Sequence, residues 1–132
     1  MIYLIDSNIL IGIVTRRRPY DALLDSFLQG GNVLATCSIV VSEMYAGMRS
    51  VEEARTARLL ESLEFLPVTY SIARLAGRLR NDAAKRGRIL TLADTTVAAV
   101  AIFNRCVLVS ENAKDFSIDG LQLLVPLANK PN

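Results

Sequence analysis

Apolar residues fall along this chain in short blocks, and the period within each block indicates what it builds. Ile2 to Ile5 is a brief apolar run ending on Asp6, which suits a buried parallel strand. Asn8 to Val14 suits a helix, and Arg16-Arg17-Arg18-Pro19 interrupts it. Pro19 then fits the first turn of a helix carrying Leu23, Leu24, Phe27 and Leu28 on one face, closed by Gly30-Gly31. Val33 to Thr36 reads as a second strand, Ser38 is placed to cap a helix to about Met48, and Glu52 to Leu63 forms another helix. Phe65 to Thr69 reads as a third strand, which Pro67 weakens or moves to a sheet edge because proline cannot donate to a ladder. Ser71 is placed to cap a long helix with Ile72, Leu75, Leu79 and Ala83 at helical spacing, ending near Gly87. Thr91 opens a helix through Ile102, and Val107–Val109 and Leu121–Val125 are further strands. Strands alternating with helices predict an α/β domain with a mainly parallel central sheet. Ligands of such sheets sit at the carboxyl ends of the strands. That directs attention to Asp6, and to Ser110, Glu111 and Asn112 after Val109.

The length of 132 residues predicts a single domain, 1–132. A composition 52% hydrophobic and 21% charged excludes disorder. The apolar surplus is large for so short a chain and points to a buried interface, with a second copy or with a tight partner. A net charge of +2 is too mild to argue nucleic-acid binding. The absence of histidine is more informative. It excludes a Ser-His-Asp triad, a Cys-His pair and His-ligated zinc, so catalysis falls to carboxylates, hydroxyls, lysines, a cysteine or a hard metal ion. Cys37 and Cys106 stand far apart, outside any C-x-x-C arrangement, and read as buried free thiols of a reducing compartment. The N-terminus lacks a basic stretch followed by a long apolar one, and no apolar run approaches the ~18–20 residues of a membrane span. A soluble, cytoplasmic protein without a membrane partner is expected.

Three carboxylates lie in apolar company. Asp6 ends the first strand, where it can also cap a helix, although Ser7 or Asn8 can take that role. Glu43 sits in Ile39-Val40-Val41-Ser42-Glu43-Met44-Tyr45-Ala46, on a solvated stripe or in a stretch where an unpaired charge is costly to bury. Asp94 is three residues after Thr91, which matches a capping box, and a first-turn carboxylate can face a cleft as well. Clustered carboxylates repel one another unless a cation joins them. Oxygen-only ligands suit Mg²⁺ or Mn²⁺ rather than zinc, and such ions are standard apparatus for phosphodiester cleavage.

With these residues in view, the chain resembles the PIN-domain family, and within it the VapC-type toxins of toxin–antitoxin systems. The resemblance spans nearly the whole chain through Leu4-Ile5-Asp6-Ser7-Asn8-Ile9-Leu10, Ser42-Glu43-Met44-Tyr45-Ala46-Gly47-Met48, Leu92-Ala93-Asp94-Thr95-Thr96-Val97-Ala98-Ala99 and Val107-Leu108-Val109-Ser110-Glu111-Asn112-Ala113-Lys114-Asp115-Phe116. It implies a three-layer α/β/α fold with four to five strands and a metal-dependent endoribonuclease using Mg²⁺ or Mn²⁺. It implies Asp6, Glu43 and Asp94 as metal ligands. Asn112 stands where many relatives carry Asp, so it is expected to assist catalysis through an oxygen rather than a charge. Ser110 stands where Thr is frequent and is expected to support it, with Asp115 in reserve. The implied partners are an RNA substrate, a cognate antitoxin and a second copy in a homodimer.

Arg16, Arg17 and Arg18, and the group Arg78, Arg80, Lys85, Arg86 and Arg88, read either as solvated faces or as contacts to RNA phosphates beside the acidic site. Two other functions compete. One is a PIN-like module that binds RNA or protein with little catalysis, a reading supported by Asn112. The other is aspartyl-phosphate chemistry at Asp6. Asp6-Ser7-Asn8 lacks the D-x-D of one such class, and the first strand lacks the acidic pair of the other.

Overall fold

In the computed structural model, which describes residues 1–127, five strands form one parallel sheet. They are β1 (Ile2–Ile5), β2 (Val33–Cys37), β3 (Glu64–Leu66), β4 (Val107–Val109) and β5 (Gln122–Leu124). Their spatial order is β3-β2-β1-β4-β5, with Tyr3 level with Leu34 on one side and with Val107 on the other. β1 is therefore central, and Leu4 and Ile5 within it are fully buried. A strand covered on both faces reads as a continuous apolar run, which is why Ile2–Ile5 shows no alternation.

Six α-helices connect the strands: α1 (Ser7–Val14), α2 (Tyr20–Gln29), α3 (Ser38–Gly47), α4 (Glu53–Glu61), α5 (Tyr70–Lys85) and α6 (Leu92–Phe103). From β1 the chain steps outward to β2 and β3, then crosses back over β1 to β4 and β5. Parallel crossovers are right-handed, so the reversal of direction puts α1–α4 on one face of the sheet and α5–α6 on the other. α1 packs on α2, α3 and α4, and α5 packs on α6. The reversal creates a switch point at the carboxyl ends of β1 and β4, the place where such sheets open a crevice. No helix among the described residues is long and apolar enough to cross a membrane.

Local chemistry moved several boundaries from the sequence reading. α3 begins at Ser38 itself, with Cys37 in the cap position and no side-chain cap. α5 is capped by Thr69, whose hydroxyl accepts from the Ile72 N–H at 3.3 Å, rather than by Ser71. β3 stops at Leu66, one residue before Pro67, and is indeed an edge strand. A short 3₁₀ turn, Ser50–Glu52, precedes α4. Leu28, expected on the buried face of α2, is 57% exposed, whereas Leu23, Leu24 and Phe27 pack on the core. Cys37 and Cys106 are buried free thiols.

Candidate active site

Asp6 is the first residue beyond β1 and the N-cap of α1. Its carboxylate accepts from the Ser7 N–H at 2.9 Å, so among the three candidates for the cap it is Asp6 that takes the role. Its other oxygen accepts from the Ser110 hydroxyl at 2.7 Å and from the Asn8 amide at 3.3 Å. Ser110 lies just beyond β4 and is fully buried. Two adjacent parallel strands thus end in one hydrogen-bonded knot across the switch point. Asn8 tightens it further: its amide also donates to the Ser110 hydroxyl at 3.2 Å, and its carbonyl oxygen accepts from the Glu111 N–H at 3.3 Å. The Asn112 N–H donates to the same hydroxyl at 3.0 Å, which seats Asn112 beside the knot.

Glu43 and Asp94 approach from two helices. α3 buries Val40 and Met44, leaving Glu43 on its exposed side. The apolar run around Glu43 therefore does not bury it, because only one stripe of a ten-residue helix meets the core. The Ser7 hydroxyl stands 3.5 Å from its carboxylate, as a long donor. Asp94 lies in the first turn of α6, where its N–H donates to Thr91 at 3.1 Å, so the cap expected from the sequence is present.

The electrostatics tie these groups together. Burial raises the pKa of Asp6; the Ser110 and Ser7 hydrogen bonds oppose this, and the charge of Asp94 adds to it. Glu43, though exposed, is partly desolvated by the surrounding protein, which raises its pKa, and the charges of Asp6 and Asp94 add to this. Burial raises Asp94, the Thr91 contact opposes it, and Asp115 adds to it. The Cys37 thiol is also raised, first by burial, with the Asp6 and Glu43 charges contributing, so it remains neutral beneath the site. No ion pair among the described residues joins a Lys or Arg to Asp6, Glu43 or Asp94. α1 and α3 start directly after β1 and β2, so their positive N-terminal ends offset part of the negative charge.

The set of donors is entirely oxygen, which fits a hard cation such as Mg²⁺ or Mn²⁺. Among the described residues, no three Asp, Glu, Cys or His side chains converge closely enough to hold one ion as they stand.

The sequence reading did not foresee the bracket formed by Asn8. Its signal was an amide two residues beyond a buried strand's terminal carboxylate, but the partner lies 102 positions away. Three members of the basic group on α5 and just beyond it make contacts within the chain. Arg80 donates to the Leu90 carbonyl at 3.0 Å, Arg86 pairs with Asp119 at 3.2 Å, and Arg88 donates to the carbonyls of Lys114 and Ser117.

Comparison with known proteins identifies the family and the fold. The PIN domain pattern matches residues 3–118. Ribonuclease VapC2 of Haemophilus influenzae is 29% identical over 119 residues, 86% of this chain and 89% of its own. Ribonuclease VapC10 of Mycobacterium tuberculosis is 33% identical over 102 residues, 74% of this chain and 73% of its own. Among solved structures, VapBC2 from Rickettsia felis, bound to a DNA fragment from its promoter, superposes with a TM-score of 0.84 at 26% identity, covering 94% of this chain and 98% of the other. The chain belongs to the PIN-domain family, among the VapC-type ribonucleases of toxin–antitoxin systems.

Proposed function

We propose that this protein is a metal-dependent endoribonuclease, the toxin of a toxin–antitoxin pair, acting through Asp6, Glu43 and Asp94 at the switch point. One observation carries the reading: desolvation raises all three carboxylates, the charge of Asp94 adds to the shifts of Asp6 and Glu43, and no ion pair among the described residues neutralises them. A missing positive charge at the carboxyl end of a parallel sheet is what a divalent cation supplies. Asp6, Glu43 and Asp94 would hold Mg²⁺ or Mn²⁺; Glu43, exposed on α3, has the torsional freedom to swing toward the other two. When bound, such an ion neutralises phosphate charge and lowers the pKa of the water that attacks phosphorus.

The remaining work falls to the chain itself. Ser110 and Asn8 fix the orientation of Asp6, as outer hydrogen-bond partners of ligating carboxylates commonly do. Thr91 fixes the turn that carries Asp94. Asn112 offers a neutral oxygen and amide donors near the scissile phosphate. With water as nucleophile and the 3′ oxygen leaving, the products carry 5′-phosphate and 3′-hydroxyl ends. A cognate antitoxin is the proposed inhibitor, supported by relatives solved as VapBC complexes. We also propose a single domain over 1–132, a homodimer and a cytoplasmic setting. A second reading, a PIN-like binding module with weak catalysis, rests on Asn112 standing where many relatives have Asp.

The test is RNA cleavage by the purified protein with Mg²⁺ or Mn²⁺, against EDTA and against Asp6→Asn. Cleavage that needs the ion and disappears in a folded Asp6→Asn variant supports the reading. Equal cleavage by the variant rejects it. RNA binding without cleavage by the wild type favours the binding module.

A further inference from the structure

The loop after β4 carries Asn112 and Asp115, and two different kinds of anchor hold it. One is internal. Ser110 holds the Asn112 N–H, the Phe116 N–H donates to the Asn112 carbonyl at 3.3 Å, and the Phe116 ring is 2% exposed. The other comes from outside the loop. Arg88, in the α5–α6 connection, donates through one guanidinium nitrogen to the Ser117 carbonyl and through another to the Lys114 carbonyl at 3.0 Å. Those two carbonyls flank Asp115 and Phe116. Arg88 precedes the α6 cap Thr91 by three residues and Asp94 by six, so one side chain ties the segment carrying Asp94 to the segment carrying Asp115. The connection is itself fastened: Leu90 is buried, and its carbonyl accepts from Arg80. Asp115 lies within electrostatic reach of Asp94.

We propose that Arg88 is a positioning residue for the acidic site, holding the Lys114–Ser117 turn so that Asp115 faces Asp94 and adds a fourth carboxylate to the field around the metal. This rests on the metal-dependent reading above. The planar guanidinium fork suits the task because it spans two carbonyls at once and stays charged at any working pH. A neutral amide such as Gln reaches less far and holds at most one of them. Arg86 provides the contrast. Its partner Asp119 is on the surface, with both side chains mostly exposed, and exposed pairs of this kind contribute little.

The experiment measures Mn²⁺ binding to the metal-free protein by calorimetry, alongside cleavage rates across Mn²⁺ and RNA concentrations. The variants are Arg88→Gln, Arg88→Lys, Arg86→Gln, Asp115→Asn and the Arg88→Gln/Asp115→Asn double. Expected is a loss of Mn²⁺ affinity of roughly tenfold in Arg88→Gln, the lower end for residues that orient metal ligands. Arg88→Lys should fall between it and the wild type, and Arg86→Gln should match the wild type. In the Asp115→Asn background, Arg88→Gln should cost little further affinity, because the carboxylate it positions is gone. A structural role alone lowers Tm but leaves Mn²⁺ affinity intact in the folded variants, and that result overturns the proposal. So does an equal loss with and without Asp115. A raised KM for RNA with unchanged Mn²⁺ binding overturns it as well, by making Arg88 a phosphate contact. If Arg88→Gln does not fold, Arg88→Lys decides by the same criteria. A wild type that neither binds Mn²⁺ nor cleaves RNA rejects the parent reading, and this inference with it; failure confined to the variants rejects the inference alone.

Discussion

Glu52 and Asp6 are each 6% exposed, yet their carboxyls shift in opposite directions. The Arg49 N–H donates to Glu52 at 2.9 Å and the Arg49 guanidinium pairs with it at 3.2 Å, and these contacts hold its pKa below the usual carboxylate range. Burial opposes them but does not outweigh them. Asp6 has a hydroxyl, an amide and a backbone N–H, but among the described residues no ion pair, and burial raises it. At Glu52, before α4, the chain supplies the cation itself. Around the switch point, Asp6, Glu43 and Asp94 feel one another's charge, and among the described residues none of them is paired with a Lys or Arg. Neutral donors can aim a carboxylate without cancelling its charge, which is what a group reserved for an external cation needs.

The largest effect that sharpens this contrast is on catalysis. Asp94→Asn keeps the shape of the α6 turn and removes one charge; cleavage should fall by at least about 100-fold, beyond the range for residues outside the first coordination shell. Glu52→Gln should lower Tm while cleavage stays near wild type. Initial rates at saturating Mn²⁺, with melting curves as a control, read both. Similar activity losses in the two variants would erase the distinction between them.

A smaller effect probes the aiming itself. Ser110→Ala removes the 2.7 Å donor to Asp6. That bond favours the ionised form, so its loss raises Asp6 further, and the acid limb of the pH–rate profile should move to higher pH. The maximal rate should fall about tenfold as the carboxylate loses its orientation. A lower rate with an unmoved acid limb would separate Ser110 from Asp6.

How far the sequence foretold this site follows from the range of the interactions involved. Buried strands announced themselves as apolar runs, and Asp6 stood out because a carboxylate ended one of them. Asp94 was visible through Thr91, a local cap three residues away. Glu43 stands out in the sequence because its neighbours are apolar, yet it is exposed, since composition cannot say which stripe of α3 faces the core. The sequence offers Ser71 and Ser38 as caps, but Thr69 and Cys37 hold those positions, because several residues near a helix start have suitable chemistry and tertiary packing selects among them. Asn8 to Ser110 and Arg88 to Ser117 span 102 and 29 positions. No local period encodes such contacts; the first arises because β1 and β4 place their ends side by side, the second because the α5–α6 connection meets the loop after β4.

The most delicate test sets proton against metal. Asp6, Glu43 and Asp94 have folded-state pKa values above their ordinary 3.8, 4.5 and 3.8. Between those ordinary values and the raised ones, the folded chain binds more protons than the unfolded chain, so stability rises as pH falls. Glu52 acts in the opposite sense: its contribution is present above its ordinary 4.5 and is lost as pH falls through its lowered value. The metal-free protein should therefore gain stability as pH drops from neutral toward the ordinary carboxylate range, then lose part of that gain below it. Saturating Mg²⁺ should remove the gain, because the ion occupies the carboxylates in their ionised form and competes with protons. Denaturant melts across this range, with and without Mg²⁺, measure both curves. Glu43→Gln should flatten the metal-free rise by deleting one of the three contributors. A metal-free curve that instead falls steadily with acid would mean the three acids are already neutralised within the chain.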